Sequence, residues 1–164
     1  MKNFKIMDCT LRDGGFHTKW DFEEGLVENY VNAMNLLDIS EVEIGFRFTN
    51  KEGWMGRFAY TTEETLNRSN FRDDIDLGVM IFSGDLLKDG KPDYELIDKV
   101  FPLGADNTKL KFVRVATYLD NIDNAVAISK YLQKKGFNLT LHLMKIHNTS
   151  EKEFSSIGEI GEKN

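Results

Sequence analysis

The sequence DCTLRDGG, residues 8–15, is the stretch that decides the fold of this 164-residue chain. It follows a short apolar segment at the N-terminus and places Arg12 beside Asp13, directly before two glycines. In parallel α/β proteins, working side chains lie just beyond the C-terminal ends of strands. A carboxylate there can bind a hard divalent metal, and a guanidinium can stabilise a developing oxyanion. The alternative is an ordinary Asp-Gly turn with a surface arginine.

Five short segments rich in branched and aromatic residues predict five strands. They are residues 4–8, 41–46, 77–82, 111–117 and 139–145. Apolar runs of this length are typical of strands that are buried on both faces of a parallel sheet. Because helical patterns lie between them, the chain is predicted to be an α/β protein built from β-α-β units. The pattern fits a doubly wound open sheet or part of a (β/α)8 barrel, and does not choose between them.

Two of the helical patterns have a clear apolar face. The first face comprises Leu26, Tyr30, Ala33, Met34 and Leu37. The second comprises Ile122, Ala125, Val126, Ser129 and Leu132, and its helix is predicted to end at Gly136. Another helix is predicted over residues 93–101. Capping-box spacing predicts further helix starts at Thr61 with Glu64 and at Ser150 with Glu153.

Composition excludes several classes of partner. The formal net charge is −6, and no Lys/Arg cluster supplies the basic surface that nucleic-acid binding needs. The single cysteine, Cys9, cannot form an internal disulfide, which favours a reducing compartment. No signal-peptide pattern and no apolar run of membrane-spanning length occur. We therefore expect a cytoplasmic protein that binds neither nucleic acid nor membrane.

Residues 8–15, together with Trp20-Asp21-Phe22 and the sequence EVEIGFR at residues 41–47, closely resemble the DRE-TIM metallolyase superfamily. Its members include 4-hydroxy-2-oxovalerate aldolase, 3-hydroxy-3-methylglutaryl-CoA lyase and 2-isopropylmalate synthase. The match is closest to the 4-hydroxy-2-oxovalerate aldolase-like branch and covers almost the whole chain. It implies a partial TIM (β/α)8-type barrel with about five parallel strands and flanking helices. Since a complete barrel has about 250 residues, residues 1–164 are expected to form one domain, the truncated N-terminal part of such a barrel.

The resemblance also implies an activity, that of a divalent-metal-dependent aldol-type lyase acting on 2-oxo acids. Its small-molecule partners would be a 2-oxo acid and an aldehyde. Asp13 matches the carboxylate ligand of the metal, Mn²⁺ or Mg²⁺. Arg12 matches the arginine that holds the enolate of the substrate. Glu43 matches the glutamate that completes the superfamily signature near the metal, and we expect it to have a catalytic role.

The other candidate residues have more than one interpretation. In aldolases that cleave 4-hydroxy-2-oxo acids, a histidine shortly after the Arg-Asp pair moves a proton, but here Phe16 occupies that place and His17 comes one residue later. His17 is therefore a catalytic base or a loop histidine. Arg114, in the fourth predicted strand, is expected to contact the substrate carboxylate. His142 is interpreted as a core or lumen residue. Lys145 could be a Schiff-base nucleophile, but the superfamily uses a metal as its electrophile.

Part of the superfamily's site has no match in this chain. The remaining metal ligands come from a His-x-His pair, whereas the three histidines here, His17, His142 and His147, form no such pair. We therefore expect weak metal binding, since a stable site needs several ligands and a supporting second layer of contacts. A partial barrel also exposes two strand edges. The competing hypothesis is a non-catalytic partial-barrel module that forms a homodimer, or binds a partner, across these open edges.

Overall fold

The computed structural model describes residues 5–49, 53–150 and 157 of the chain, and its centre is a parallel sheet of five strands. These strands are β1 (Met7–Asp8), β2 (Glu41–Phe46), β3 (Asp76–Phe82), β6 (Leu110–Thr117) and β7 (Asn138–Leu143), adjacent in that order. The short strands β4 (Leu87–Lys88) and β5 (Lys91–Pro92) form a separate antiparallel hairpin. The sheet is a half-barrel with flanking helices, which confirms the predicted partial TIM-type barrel.

Six α-helices occur in the described residues. They are α1 (Thr10–Thr18), α2 (Glu24–Leu36), α3 (Arg57–Tyr60), α4 (Glu63–Arg68), α5 (Tyr94–Val100) and α6 (Ile122–Lys134). The predicted helices over residues 93–101 and 122–134 are confirmed, and Gly136 follows α6 with the left-handed φ of 91° that such an ending requires. Within the described part of the chain, no helix has both the length and the apolar character needed to cross a bilayer.

The two faces of the sheet have different chemistry. In β2, Val42 and Ile44 are fully buried in the core that the sheet shares with the helices. Because side chains alternate along a strand, Glu43 lies on the opposite, inner face of the half-barrel. Val113 and Val115 flank Arg114 in β6 in the same way. Charged side chains of two strands are thus directed toward the same concave face.

The alternative of an Asp-Gly turn after β1 is wrong, because residues 10–18 form α1. Asp8 stabilises the start of this helix, since its carboxylate accepts hydrogen bonds from the Thr10 backbone N–H at 2.9 Å and the Thr10 hydroxyl at 3.0 Å. Gly15 is buried against the ring of Trp20, whose Nε1 donates to the Arg12 carbonyl at 2.9 Å. The glycine therefore serves close packing inside a helix rather than a turn.

The apolar face predicted for α2 is also wrong in part. The buried residues are Val27, Val31 and Met34, whereas Leu26 is 53% exposed and Leu37, just after the helix, is 50% exposed. The helix carries two apolar stripes, and only one of them can face the sheet. Because α2 follows the edge strand β1, the other stripe remains at the rim of the half-barrel.

Other predicted boundaries differ by a few residues. The cap of α4 is Thr62 rather than Thr61, since the Thr62 hydroxyl accepts from the Thr65 N–H at 3.3 Å. Thr61 instead ends α3 in a left-handed conformation with φ of 32°. Strand β7 ends at Leu143, two residues before the predicted end. The predicted helix start at Ser150 and Glu153 extends outside the described residues.

Candidate functional site

Glu43 is the centre of the candidate site on the inner face of the sheet. Its side chain is fully buried, and one of its carboxylate oxygens accepts a hydrogen bond from Arg12 Nε. Both of its oxygens also lie 3.2 Å from Nη1 of Arg114. Charge-assisted contacts of this kind are the stronger class of protein hydrogen bonds. The register between β2 and β3 shifts between Glu43 and Gly45, so the strand pairing is irregular directly beside the carboxylate.

Arg12 reaches Glu43 from α1 and links it to the surface. Its Nη1 forms an ion pair with Asp13, whose side chain is 60% exposed. Burial acts to lower the pKa of Arg12, but the charges of Glu43 and Asp13 outweigh it and the pKa is raised. Arg12 therefore stays charged while it is largely withdrawn from water.

Asp13 and His17 lie one helical turn apart on α1, so they share one face of the helix. Both residues are exposed. His17 therefore lies near Asp13. Among the described residues, however, it makes no hydrogen bond to Glu43, Arg12 or Arg114. In the same part of the chain, no three His, Cys, Asp or Glu side chains are grouped closely enough to hold a metal ion.

Arg114 connects Glu43 to the strand β7. Its Nη2 lies 3.0 Å from Nδ1 of His142, and its Nη1 lies 3.8 Å from Sγ of Cys9. Partial burial, and then the charges of Arg114 and Arg12, lower the pKa of His142. Cys9 is half-buried beside the guanidinium rather than in the helix-side core, and burial followed by Glu43 raises the pKa of its thiol.

No local pattern in the sequence indicates the contact between Arg114 and His142. Thr140 is the residue of β7 that pairs with Arg114, so His142 lies two positions further along the same face. Only the register between β6 and β7 could have revealed this neighbour. Lys145, the alternative nucleophile, is exposed beyond β7, and its Nζ lies 5.2 Å from the centre of the Tyr118 ring.

A second layer of contacts fixes the start of α1 and hence Arg12. The hydroxyl of Tyr30 in α2 donates to Asp8 at 2.5 Å. Burial and the neighbouring carboxylate raise the pKa of Tyr30, so this hydroxyl stays protonated. Sequence reasoning treated Tyr30 as core and missed its link to Asp8, because their spacing of 22 residues has no local pattern.

Aromatic side chains border the site where α1 ends. The ring of Phe16 packs edge-on against Trp20 with centroids 4.9 Å apart and against Phe46 at 5.8 Å. Phe16 is nevertheless 63% exposed. Since Phe16 and Arg12 are one turn apart on α1, an apolar surface adjoins the guanidinium.

A concavity of about 490 Å³ lies at the other end of the sheet, near the N-terminal ends of β3 and β6. Its two lysines already donate to backbone carbonyls: Lys109 to Ser69 at 3.3 Å, and Lys111 to Ala105 at 2.9 Å. Because these ammonium groups are engaged and the catalytic candidates lie elsewhere, we assign no role to this cavity.

Comparison with known proteins identifies a similar solved structure. No family model and no curated protein matches the chain. A similar solved structure is described as the "N-terminal domain of a putative aldolase from Bacteroides vulgatus", with 28% identity and a TM-score of 0.75. The match covers 94% of this chain and 50% of that one, so this chain spans about half the length of its relative. An aldolase-like fold is therefore supported, and membership of the metallolyase superfamily stays a prediction.

Proposed function

We propose that this chain supplies the 2-oxo acid site of an aldolase-like carbon–carbon lyase, of the 4-hydroxy-2-oxovalerate aldolase type. The observation that carries the proposal is the fully buried Glu43 held between Arg12 and Arg114 on the inner face of the half-barrel. The likeness to the N-terminal domain described above supports the class of reaction.

In this proposal, the two guanidiniums bind the oxygens of the substrate. Arg12 and Arg114 each keep further N–H donors beyond those engaged with protein groups. A 2-oxo acid offers a carboxylate, and aldol cleavage of its C3–C4 bond places negative charge on the oxygen at C2, which becomes the enolate oxygen. Fixed donors in a site with little water stabilise such a charge strongly. Glu43 holds both guanidiniums in place, and it therefore orients the donors before the substrate arrives.

The proton of the departing hydroxyl requires a separate group. We assign it to His17, since histidine is the side chain that most often transfers protons in enzymes, or to a water molecule beside it. His17 is exposed on the same face of α1 as Asp13. This assignment separates charge stabilisation on the inner face from proton transfer on the helix.

The residues described do not by themselves fit a divalent metal. Asp13 offers one exposed carboxylate, which is already paired with Arg12, and no group of three metal-ligating side chains exists in the described residues. Mg²⁺ or Mn²⁺ bound at Asp13 would need ligands from outside this set. We retain Asp13 as the proposed ligand and derive no step through the metal.

Exchange of the C3 protons of pyruvate in D2O, followed by proton NMR, tests the proposed function. We expect the 164-residue chain to accelerate exchange above the rate in buffer, and Arg12→Gln to slow it by about 10²-fold, since a preorganised oxyanion donor is lost.

Arg68→Gln is the matched control, because Arg68 is an exposed arginine whose ion-pair contacts are as long as 3.9 Å. Its exchange rate should equal that of the wild type. A wild-type rate no higher than in buffer, or equal rates for wild type and Arg12→Gln, would refute the proposed function.

A second candidate function is a non-catalytic module that pairs with a second copy of itself. The observation that favours it is the apolar rim: Leu26 and Leu37 near the β1 edge are about half exposed, and Leu141 on the edge strand β7 is 37% exposed. Open edges with apolar side chains promote strand or helix pairing.

Light scattering on the chain tests this candidate function. A homodimer closed across these edges should become a monomer in Leu26→Lys and Leu141→Lys, since a buried lysine would lack a partner. Leu103→Lys, at an exposed leucine elsewhere, should leave the dimer intact. A wild-type chain that stays monomeric would exclude the module.

A further inference from the structure

The contact between Arg114 and His142 determines which ring nitrogen of His142 carries the proton. A guanidinium can only donate hydrogen bonds. Nδ1 of His142, 3.0 Å from Nη2 of Arg114, must therefore accept. The neutral ring then carries its proton on Nε2.

Nε2 is the free end of this imidazole. Among the residues that the structure describes, none accepts a hydrogen bond from it, and His142 is exposed on the inner side of the edge strand β7. The same guanidinium contacts Glu43 through Nη1. An Nε2–H donor thus lies beside the group proposed to bind the oxo acid.

The charges around His142 keep the ring neutral. Arg114 and Arg12 oppose its protonation, and this effect, together with partial burial, outweighs the opposite effect of Glu43 and Asp13, so that the pKa is lowered. A neutral donor avoids adding a third cation beside the two guanidiniums. It also cannot act as a base, since the Nδ1 lone pair is occupied by Arg114.

We propose that His142 is a catalytic residue of the oxo-acid site, donating its neutral Nε2–H to the oxo or enolate oxygen of the bound 2-oxo acid. This inference rests on the proposed function. The two histidines then have different roles: His142 polarises the oxo group, and His17 or water moves the proton of the departing hydroxyl. Such a donor supplies electrostatic stabilisation at the oxygen where charge develops, without a change in its own protonation state.

Ring-nitrogen NMR on the ¹⁵N-labelled chain tests the tautomer, with His142→Gln identifying the resonances. We expect the pattern of an Nε2–H tautomer and a pKa below the ordinary value of about 6.5. Arg114→Met should raise this pKa, because the guanidinium no longer opposes protonation of the ring. Arg68→Met should change neither. A proton on Nδ1 in the wild type would overturn the inference whatever the outcome for the proposed function.

Calorimetric titration with oxalate, which mimics the enolate of pyruvate, tests the contact. His142→Leu should weaken binding about tenfold, the effect of losing one hydrogen bond to a charged group. His142→Gln keeps an N–H donor and should retain part of the affinity. If His142→Leu binds oxalate as tightly as the wild type while Arg12→Gln does not, the inference fails and the proposed function stands. If the wild type binds no oxalate, both fail.

Discussion

Glu43→Gln is expected to lower the free energy of unfolding by about 3 kcal/mol, because it leaves two guanidiniums without their shared counter-charge. The carboxylate is fully buried, and the side chains of Arg12 and Arg114 are only 13% and 16% exposed. Neither arginine can recover full hydration while the fold is intact. Urea denaturation of the wild type and the variant measures the difference.

Glu41→Gln is the control, since it makes the same substitution two residues earlier in β2. Glu41 is paired at 2.8 Å with Lys5, whose side chain is 66% exposed, and pairs with such exposed partners contribute at most about 1 kcal/mol. The two variants should therefore differ clearly. Equal losses would show that Glu43 has no special role in holding the inner face together.

The adjacent glycines of the DCTLRDGG stretch are expected to respond to alanine with opposite signs. A Cβ on Gly15 would overlap the ring of Trp20, which cannot move freely because its Nε1 is bonded to the Arg12 carbonyl. Overpacking of this kind costs about 3 kcal/mol. A Cβ on Gly14 would meet only the Phe22 ring, at 3.8 Å.

Gly14→Ala should therefore stabilise the protein by about 0.5–1 kcal/mol, the usual gain from replacing glycine inside a helix. Denaturation of the two variants measures both effects, and each serves as the control for the other. If both alanine variants changed the free energy of unfolding in the same direction, α1 would not pack against Trp20 as described.

The strands of the sheet followed closely from local patterns, whereas the choice of a barrel depended on the resemblance. Strands β2, β3 and β6 are apolar runs, and their predicted bounds agree with the structure to within one residue because burial on both faces leaves little choice of residue type. The alternative of an Asp-Gly turn within residues 12–15 failed for a physical reason. The preference of an Asp-Gly pair for turns is outweighed by the contacts that stabilise the helix α1. These contacts are the hydrogen bonds of Asp8 at its start and the packing of Trp20 over Gly15.

The candidate site was only partly accessible from the sequence. Arg12, Asp13 and Glu43 belong to contiguous stretches, so a resemblance could select them, and their catalytic roles stay predictions. The contact between Arg114 and His142 depends on the register of β6 against β7. Tyr30 likewise reaches Asp8 from a helix that begins sixteen residues after it. Contacts between residues that are far apart in the sequence produce no local periodic pattern from which they could be predicted.

Pyruvate C3 exchange in D2O, with the wild type and Arg12→Gln compared in the same buffer, tests the central claim most directly. If the inner face binds and enolises 2-oxo acids, the wild type should exchange these protons about 10²-fold faster than Arg12→Gln. Oxalate should inhibit the exchange that the wild type catalyses. Exchange that is indistinguishable between the two proteins, or that oxalate leaves unchanged, would contradict an oxo-acid site at Arg12, Glu43 and Arg114.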